Sequence, residues 1–101
     1  MINRTGTTAL GAKKLNTLPP EPGVYLFYDK KKRLLYIGKA VHLRSRVRSY
    51  FSPNRETFNA ARAKMIAEIA DVKWERAASE PEALIREAEL IKKLKPRYNV
   101  L

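Results

Sequence analysis

Two glycine and tyrosine tripeptides are the first candidates for chemistry in this chain. Gly23-Val24-Tyr25 and Tyr36-Ile37-Gly38 lie at the two ends of one stretch, GVYLFYDKKKRLLYIG. A phenol can exchange a proton with a bound reactant, but it titrates near pH 10 and needs nearby positive charge to act as a base at neutral pH. Tyrosine is also common in strands, so ordinary packing is the alternative interpretation.

A cationic segment follows the second tripeptide directly. Lys39 to Phe51, KAVHLRSRVRSYF, runs from a strand pattern into a helical pattern. Arg46 precedes Tyr50 by about one helical turn, so their polar ends can share a cleft. We expect His42, the one histidine, to be a surface residue or a phosphate contact.

The last helical segment contains a carboxylate where an apolar residue is expected. Ser79-Glu80-Pro81-Glu82 has the spacing of a capping box, and Pro96 predicts that this helix ends near Lys95. At 100° per residue the apolar arc is formed by four residues: Leu84, Ala88, Ile91 and Leu94. Glu87 falls inside this arc, whereas Glu89 falls on the side of Lys93. A carboxylate on a packed face needs a partner, which could be an arginine, a metal ion or the solvent at the mouth of a cleft.

Composition favours a small domain with a polyanionic partner. The 101 residues allow one compact domain, and 21 Lys+Arg against 10 Asp+Glu give a formal charge of +11. Nucleic acid is the usual partner of a small domain with so large a positive charge, and a membrane surface is a less suitable partner. No stretch is long and apolar enough to span a bilayer, and the first residues lack the layout of a secretory signal, so we expect a cytoplasmic monomer. The absence of cysteine excludes disulfides and thiolate metal sites.

The pattern of strands and helices that must position these residues predicts an α/β fold, with a small three-stranded antiparallel sheet flanked by helices. We expect residues 1–17 to be a partly disordered leader and residues 18–101 to be the domain. The predicted strands are Gly23 to Tyr28, Leu34 to Gly38 and Val72 to Ala77. A helix over Thr57 to Ala70 is predicted to bury four residues of one face: Phe58, Ala61, Met65 and Ile69. We expect the active cleft on one sheet face, between the cationic helix and the helix of Glu87.

Four sequence blocks in this order resemble a known family. PGVYLF, YIGKA, LRSRVRSYF and EALIREAELIKKLKPRYNVL together resemble the GIY-YIG endonuclease domain, and specifically the amino-terminal domain of UvrC excision-repair nucleases. Either tripeptide alone would be a weak signal. The resemblance covers Leu18 to Leu101 and implies the GIY-YIG fold and a DNA-cleaving activity.

The resemblance also implies roles for individual residues. Tyr36 is the base that activates water, Tyr25 orients the site or the water, and Tyr50 contacts the phosphate. Arg46 with Lys39 stabilises the developing charge. Glu87 aligns with the glutamate that binds the divalent ion. Because two-metal nucleases need several acidic residues and the only aspartates are Asp29 and Asp71, we expect a single Mg²⁺ or Mn²⁺ completed by waters and phosphate oxygens.

The partners expected from the resemblance are DNA and a UvrB-type loader protein, with incision 3′ to a lesion. We expect Lys39, Arg44, Arg46, Arg48 and Asn99 to contact nucleic acid, although solvated charges and a polar chain end are equally good interpretations of Arg44, Arg48 and Asn99. Two alternatives stay open. One is a basic nucleic-acid-binding module without catalysis, and the other is a fragment whose basic surface meets an acidic protein.

Overall fold

The computed structural model describes residues 10–52 and 59–99, which form a three-stranded sheet with helices on both faces. The strands are β1 (Gly23–Tyr28), β2 (Leu34–Ala40) and β3 (Asp71–Arg76). The helices are α1 (Ala12–Leu15), α2 (Leu43–Ser49), α3 (Ala60–Glu68) and α4 (Glu80–Leu94). The predicted fold class is therefore confirmed. β2 ends two residues later than expected, and β3 begins and ends one residue earlier.

The sheet is antiparallel in the order β2-β1-β3. The β1–β2 register places Gly23 opposite Ala40 and Tyr25 opposite Gly38. The connecting turn is closed by Asp29, whose Oδ1 accepts hydrogen bonds from the backbone nitrogens of Lys31 and Arg33, both at 2.9 Å. The two tripeptides consequently meet at one end of the hairpin, where β2 leads into α2.

Successive residues of β1 point to opposite faces of the sheet and separate two hydrophobic clusters. Tyr25 and Phe27 pack in a cluster that includes Val47 of α2. Val24 and Leu26 pack in a second cluster that includes Leu90 of α4. Helices α2 and α4 therefore cover opposite faces. The expectation of one cleft on a single face, between these two helices, is wrong because the sheet itself lies between them.

The segment before β1 packs against the domain from residue 10 onward. Leu10, Leu15 and Leu18 are buried in the cluster on the α2 face, and α1 forms between the first two. The expected leader up to residue 17 is therefore wrong for residues 10–17, because three leucines spaced along a polar segment are enough to fix it by apolar burial. Residues 1–9 lie outside the described part of the chain.

Helix α4 presents a different face to the sheet from the one expected. Ala83 and Leu90 are buried, whereas Leu84 is 50% exposed and Leu94 is 45% exposed. The predicted arc is confirmed at Ile91, which packs against the cluster of Leu90, but it is wrong for Leu84 and Leu94, because the adjacent stripe of Ala83 and Leu90 is the one that is buried. Glu87 is one turn from both Ala83 and Leu90, so it still lies on the packed face.

The ends of α4 agree with the sequence, and those of α3 agree in part. Ser79 Oγ accepts a hydrogen bond from the Glu82 nitrogen at 3.3 Å, and Lys95 adopts a left-handed conformation (φ 47°) just after the last turn. Helix α3 ends at Glu68, two residues before the expected end. Its buried residues are Met65 and Ile66, with Ile69 directly after it, while Ala61 is exposed. Thr57 and Phe58 lie outside the described residues. No helix in the described ranges has the length and apolar run needed to cross a bilayer.

Candidate active site

Three tyrosines form an aromatic cluster on the α2 face of the sheet. The ring centroid of Tyr25 lies 6.3 Å from that of Tyr36 and 5.8 Å from that of Tyr50. The ring centroids of Tyr36 and Tyr50 are 6.5 Å apart. The hydroxyl oxygens of Tyr25 and Tyr50 are hydrogen-bonded at 2.6 Å. Tyr25 and Tyr50 are buried, and Tyr36 is half-buried. Tyr36 is therefore the phenol of this cluster that a bound reactant can reach.

Gly38 explains why a glycine follows the second tyrosine at this spacing. Tyr25 and Gly38 are direct cross-strand partners, and the Tyr25 ring lies across the space that a side chain would fill. A Cβ atom at Gly38 would be 2.3 Å from Tyr25 Oη and 2.4 Å from Tyr25 Cζ. At Gly23 a Cβ atom would be 2.2 Å from the carbonyl oxygen of Glu75 in β3. The two glycines thus let the tripeptides pack tightly, and Gly38 sets the position of the Tyr25 phenol.

Two arginines lie over the tyrosine rings. The Cζ atom of Arg46, on α2, is 5.7 Å from the Tyr50 ring centroid. The Cζ atom of Arg62, on α3, is 5.0 Å from the Tyr50 centroid and 5.7 Å from the Tyr36 centroid. The structure thus brings together four predicted site residues, Tyr25, Tyr36, Arg46 and Tyr50, and adds a cation that the sequence reasoning missed.

The sequence contains a signal that could have identified Arg62. Arg62, Met65, Ile66 and Ile69 follow the i, i+3, i+4, i+7 spacing of a helix face that packs on a core. A charged residue in such a stripe is the same anomaly that identified Glu87 in α4. The apolar members of this stripe predict a core face, and that interpretation gives no role to its one charged member.

Burial and mutual repulsion raise the pKa values of Tyr25 and Tyr36. Burial raises the pKa of Tyr25 far above its usual value, and the charges of Tyr50 and Tyr36 would raise it further if they ionised. Burial also raises the pKa of Tyr36, with a further increase from Tyr50, but the charge and hydrogen bonding of Arg62 act in the opposite direction. Tyr36 is therefore the half-buried phenol of the cluster, and it has a cation placed to favour its ionised form.

Lys39 lies on the other side of β2 from the tyrosines. It is the cross-strand partner of Val24, which belongs to the cluster on the α4 face. A pocket of about 560 Å³ at the end of β2 is nevertheless lined by both Lys39 and Arg46, together with Glu80 from the start of α4. Two predicted catalytic cations therefore meet at this pocket. His42, also in its lining, begins α2 by accepting a hydrogen bond at Nδ1 from the Ser45 nitrogen at 3.1 Å.

Glu87 has the properties of a metal-binding carboxylate. It is half-buried on the packed face of α4, and within residues 10–52 and 59–99 it makes no hydrogen bond or ion pair. Every other buried or half-buried carboxylate in these ranges, Asp29, Glu68 and Asp71, has a partner. The arginine ion pair that the sequence left open is thus not formed among the described residues. An available, partly desolvated carboxylate suits a hard divalent ion.

The described residues contain no group of three or more histidine, cysteine or acidic side chains placed to hold a metal ion. An ion at Glu87 would therefore take most of its ligands from waters or substrate oxygens. This donor set fits Mg²⁺ or Mn²⁺ and does not fit zinc, which prefers several nitrogen or sulfur ligands.

The other residues expected to contact nucleic acid have partners within the domain. Arg44 Nε donates a hydrogen bond to the Leu18 carbonyl oxygen at 2.9 Å, and Arg48 donates one to Asn16. Both contacts hold the segment before β1 against α2. Asn99 pairs with the backbone of Ile37 through two hydrogen bonds, at 2.8 and 2.9 Å, and so closes the outer edge of β2. In this structure these three residues stabilise the elements that carry the site.

Comparison with known proteins identifies the family of this chain. A family model described as the UvrC-like GIY-YIG domain matches residues 21–100. The chain belongs to this family. UvrABC system protein C of Pelodictyon phaeoclathratiforme is 47% identical over 97 residues, and that of Chlorobaculum tepidum is 50% identical over 99 residues. These alignments cover 96% and 97% of this chain but 15% of each relative, so the chain spans about one seventh of their length.

Solved structures of this family agree with the fold. The crystal structure of the GIY-YIG N-terminal endonuclease domain of UvrC from Thermotoga maritima superimposes with a TM-score of 0.71 at 41% sequence identity. The match covers 86% of this chain and 92% of that domain, which is bound to its catalytic divalent cation, magnesium. Point mutants of the same domain, one asparagine-to-alanine and several tyrosine-to-phenylalanine changes, are also bound to the catalytic cation.

Proposed function

We propose that this chain is a divalent-metal-dependent DNA endonuclease domain that hydrolyses a phosphodiester bond. The observation that carries the proposal is the half-buried carboxylate of Glu87, which has no partner among the described residues although the chain has a formal charge of +11. A domain that only binds nucleic acid has no use for such a group. A metal-dependent phosphodiesterase needs one.

In the proposed reaction Tyr36 acts as the general base. Its ionised phenol oxygen takes a proton from water, the water oxygen forms a bond to phosphorus, the bond from phosphorus to the leaving oxygen breaks, and that oxygen takes a proton from a solvent water molecule. Arg46 and Lys39, which line one pocket, bind the phosphate oxygens and stabilise the added negative charge. The buried hydrogen bond between Tyr25 and Tyr50 fixes the wall behind Tyr36.

The proposed metal ligand is Glu87. A Mg²⁺ or Mn²⁺ ion held there supplies Lewis-acid stabilisation of phosphate charge. The similarity to a magnesium-bound domain supports this assignment, and the described residues contain no cluster of three or more histidine, cysteine or acidic side chains that would offer an alternative site.

We further propose that the substrate is a damaged DNA strand, incised 3′ to the lesion in nucleotide excision repair. The relatives are named as components of the UvrABC system, which supports DNA as substrate and a UvrB-type loader as partner. A cytoplasmic monomer fits this role. Lys39 and Arg46 are the proposed primary phosphate contacts. Arg44 and Arg48 add positive charge beside them, with part of each guanidinium engaged in the fold, and Asn99 completes the site by holding β2.

Cleavage of a labelled duplex with a nick or lesion tests this function. The native chain is compared with Glu87→Ala and Tyr36→Phe in Mg²⁺ or Mn²⁺, and DNA binding is followed in parallel. We expect metal-dependent cutting that falls by at least about a hundredfold in both variants, as loss of a general base or a metal ion does, while binding is retained. Glu89→Gln, an exposed change on the same helix, should cut normally.

The same experiment distinguishes the basic binding module. If the native chain binds DNA without cutting it, a UvrB-type loader is added. Cutting that appears only with the loader supports a partner-dependent nuclease. Continued binding without cutting, or normal cutting by Glu87→Ala, would contradict the proposed function.

A further inference from the structure

Arg62 is fixed in place by the start of α3. Asn59 begins this helix, and its Oδ1 accepts a hydrogen bond from the Arg62 nitrogen at 2.8 Å. The Arg62 side chain then reaches back over the Tyr36 and Tyr50 rings. It also lines a pocket of about 310 Å³ whose wall includes Tyr36 and Tyr98. Arg62 and Tyr36 therefore share a pocket that has no lining residue in common with the pocket of Lys39 and Arg46.

The two arginines of the cluster both lie over Tyr50, but they differ at the other two phenols. Arg46 favours the ionised form of Tyr25, which is buried too deeply to meet a reactant. Arg62 lies over the Tyr36 ring as well, and its charge and hydrogen bonding oppose the effect of burial on the pKa of the half-buried Tyr36. Arg62 is therefore the arginine placed over the ring of the proposed general base, while Arg46 lines the pocket proposed to bind phosphate.

We propose that Arg62 is a positioning residue for the general base: it holds the Tyr36 hydroxyl in place from α3 and stabilises its ionised form. This inference rests on the proposed function of Tyr36. The groups that surround Tyr36 are Tyr25 from β1, Tyr50 and Arg46 from the α2 region, Arg62 from α3, and Tyr98, whose hydroxyl donates to Glu68. Arg62 is the cation among them that lies directly over the Tyr36 ring.

The test is the pH profile of single-turnover cleavage, with a UvrB-type loader present if the chain requires it. Arg62→Gln removes the charge, Arg62→Lys retains it, and Lys64→Gln removes an exposed charge two residues along the same helix. An opposite charge at 4–6 Å shifts a pKa by about 1–3 units. The rate rises with pH as Tyr36 ionises, and we expect this rise to move to higher pH by about one unit in Arg62→Gln. The rate near pH 8 should then fall by about tenfold and recover toward that of the native chain at higher pH. Arg62→Lys should restore part of the loss, and Lys64→Gln should change neither property.

A purely structural role would give a different profile. An equal loss of rate at every pH, or an unchanged rate in Arg62→Gln, would overturn the inference while leaving the nuclease intact. If Tyr36→Phe cuts normally, the proposed function of Tyr36 fails instead.

A second readout does not depend on cleavage. The chain contains five tyrosines, and with ¹³Cζ labels each can be titrated by NMR, with Tyr36→Phe identifying the relevant signal. We expect the onset of Tyr36 ionisation at a higher pH in Arg62→Gln than in the native chain or in Lys64→Gln. An unchanged onset would refute the inference even in a preparation that does not cut DNA.

Discussion

Substituting Gly38 by alanine should displace the Tyr25 phenol and destabilise the domain. The added Cβ atom would lie 2.3 Å from Tyr25 Oη and 2.4 Å from Tyr25 Cζ. Non-bonded carbon atoms prefer about 3.5–4.0 Å, so the ring would have to move by about 1 Å or more. Tyr25 is 1% exposed and its hydroxyl is bonded to that of Tyr50 at 2.6 Å, so the ring cannot move without disturbing its neighbours.

The expected cost follows from these contacts. Overpacking a core costs about 1–3 kcal/mol, and losing the hydrogen bond to Tyr50 adds about 1 kcal/mol. We therefore expect Gly38→Ala to reduce the free energy of unfolding by about 2–4 kcal/mol, because both effects act on the same ring. Urea denaturation at 25 °C, followed by far-UV circular dichroism, measures this quantity.

Gly11→Ala is the matched control, because no atom lies within 4 Å of a Cβ placed at Gly11. Its backbone has φ −88°, which alanine adopts without strain, so we expect a change below about 1 kcal/mol. If Gly38→Ala were as stable as Gly11→Ala, the close packing of Tyr25 on Gly38 would be refuted.

Two further predictions concern the residues that hold the β1–β2 hairpin. Asn99→Ala removes both hydrogen bonds to the Ile37 backbone, so we expect a loss of about 1–3 kcal/mol and faster amide exchange at Ile37, measured by NMR. At Asp29, the hydrogen bonds from the backbone and side chain of Arg33 and the backbone of Lys31 hold the pKa below its usual value. A lowered folded-state pKa stabilises the domain above the unfolded-state pKa of about 4, and this contribution is lost as the pH falls through the folded-state pKa. Asp29→Asn should therefore lose stability at neutral pH but not at pH 2, and an equal deficit at both pH values would contradict this assignment.

The sheet could be predicted from sequence because its signals are local. Gly23 and Gly38 bound a hairpin of aromatic and β-branched residues, and the polar turn between them includes Lys32 with φ 64°. Such patterns depend on neighbouring residues and need no knowledge of distant contacts. The same is true of the helix start at Ser79, where the hydrogen bond lies within one turn.

The arrangement of the helices could not be predicted in the same way. The face of α4 that packs is chosen by its fit to the sheet, which buries Ala83 and Leu90 and leaves Leu84 exposed. The side of the sheet that each helix covers depends on contacts between residues far apart in sequence, so the single cleft expected between α2 and α4 was wrong. Arg62 was missed for a related reason, because its proposed role depends on contact with Tyr36, which lies 26 positions earlier in the chain.

The intramolecular partners of Arg44, Arg48 and Asn99 could not be predicted from the sequence either. Each of these residues contacts a segment more than 20 positions away. Their side chains are suited to phosphate in isolation, and only the fold shows that they first bind the chain itself. By contrast, Glu87 could be identified because an acidic residue on an apolar helix face is unusual whichever neighbouring stripe is buried.

The most direct test of the proposed metal site is the binding of Mn²⁺ to Glu87. Substoichiometric Mn²⁺ broadens the NMR signals of nuclei close to it. The native chain can be compared with Glu87→Gln and with Glu89→Gln, which removes a carboxylate that is 61% exposed and pairs with Arg86. We expect broadening centred on Glu87 in the native chain and in Glu89→Gln, with affinity reduced by at least about tenfold in Glu87→Gln. Broadening centred elsewhere, or unchanged in Glu87→Gln, would contradict the single-carboxylate metal site.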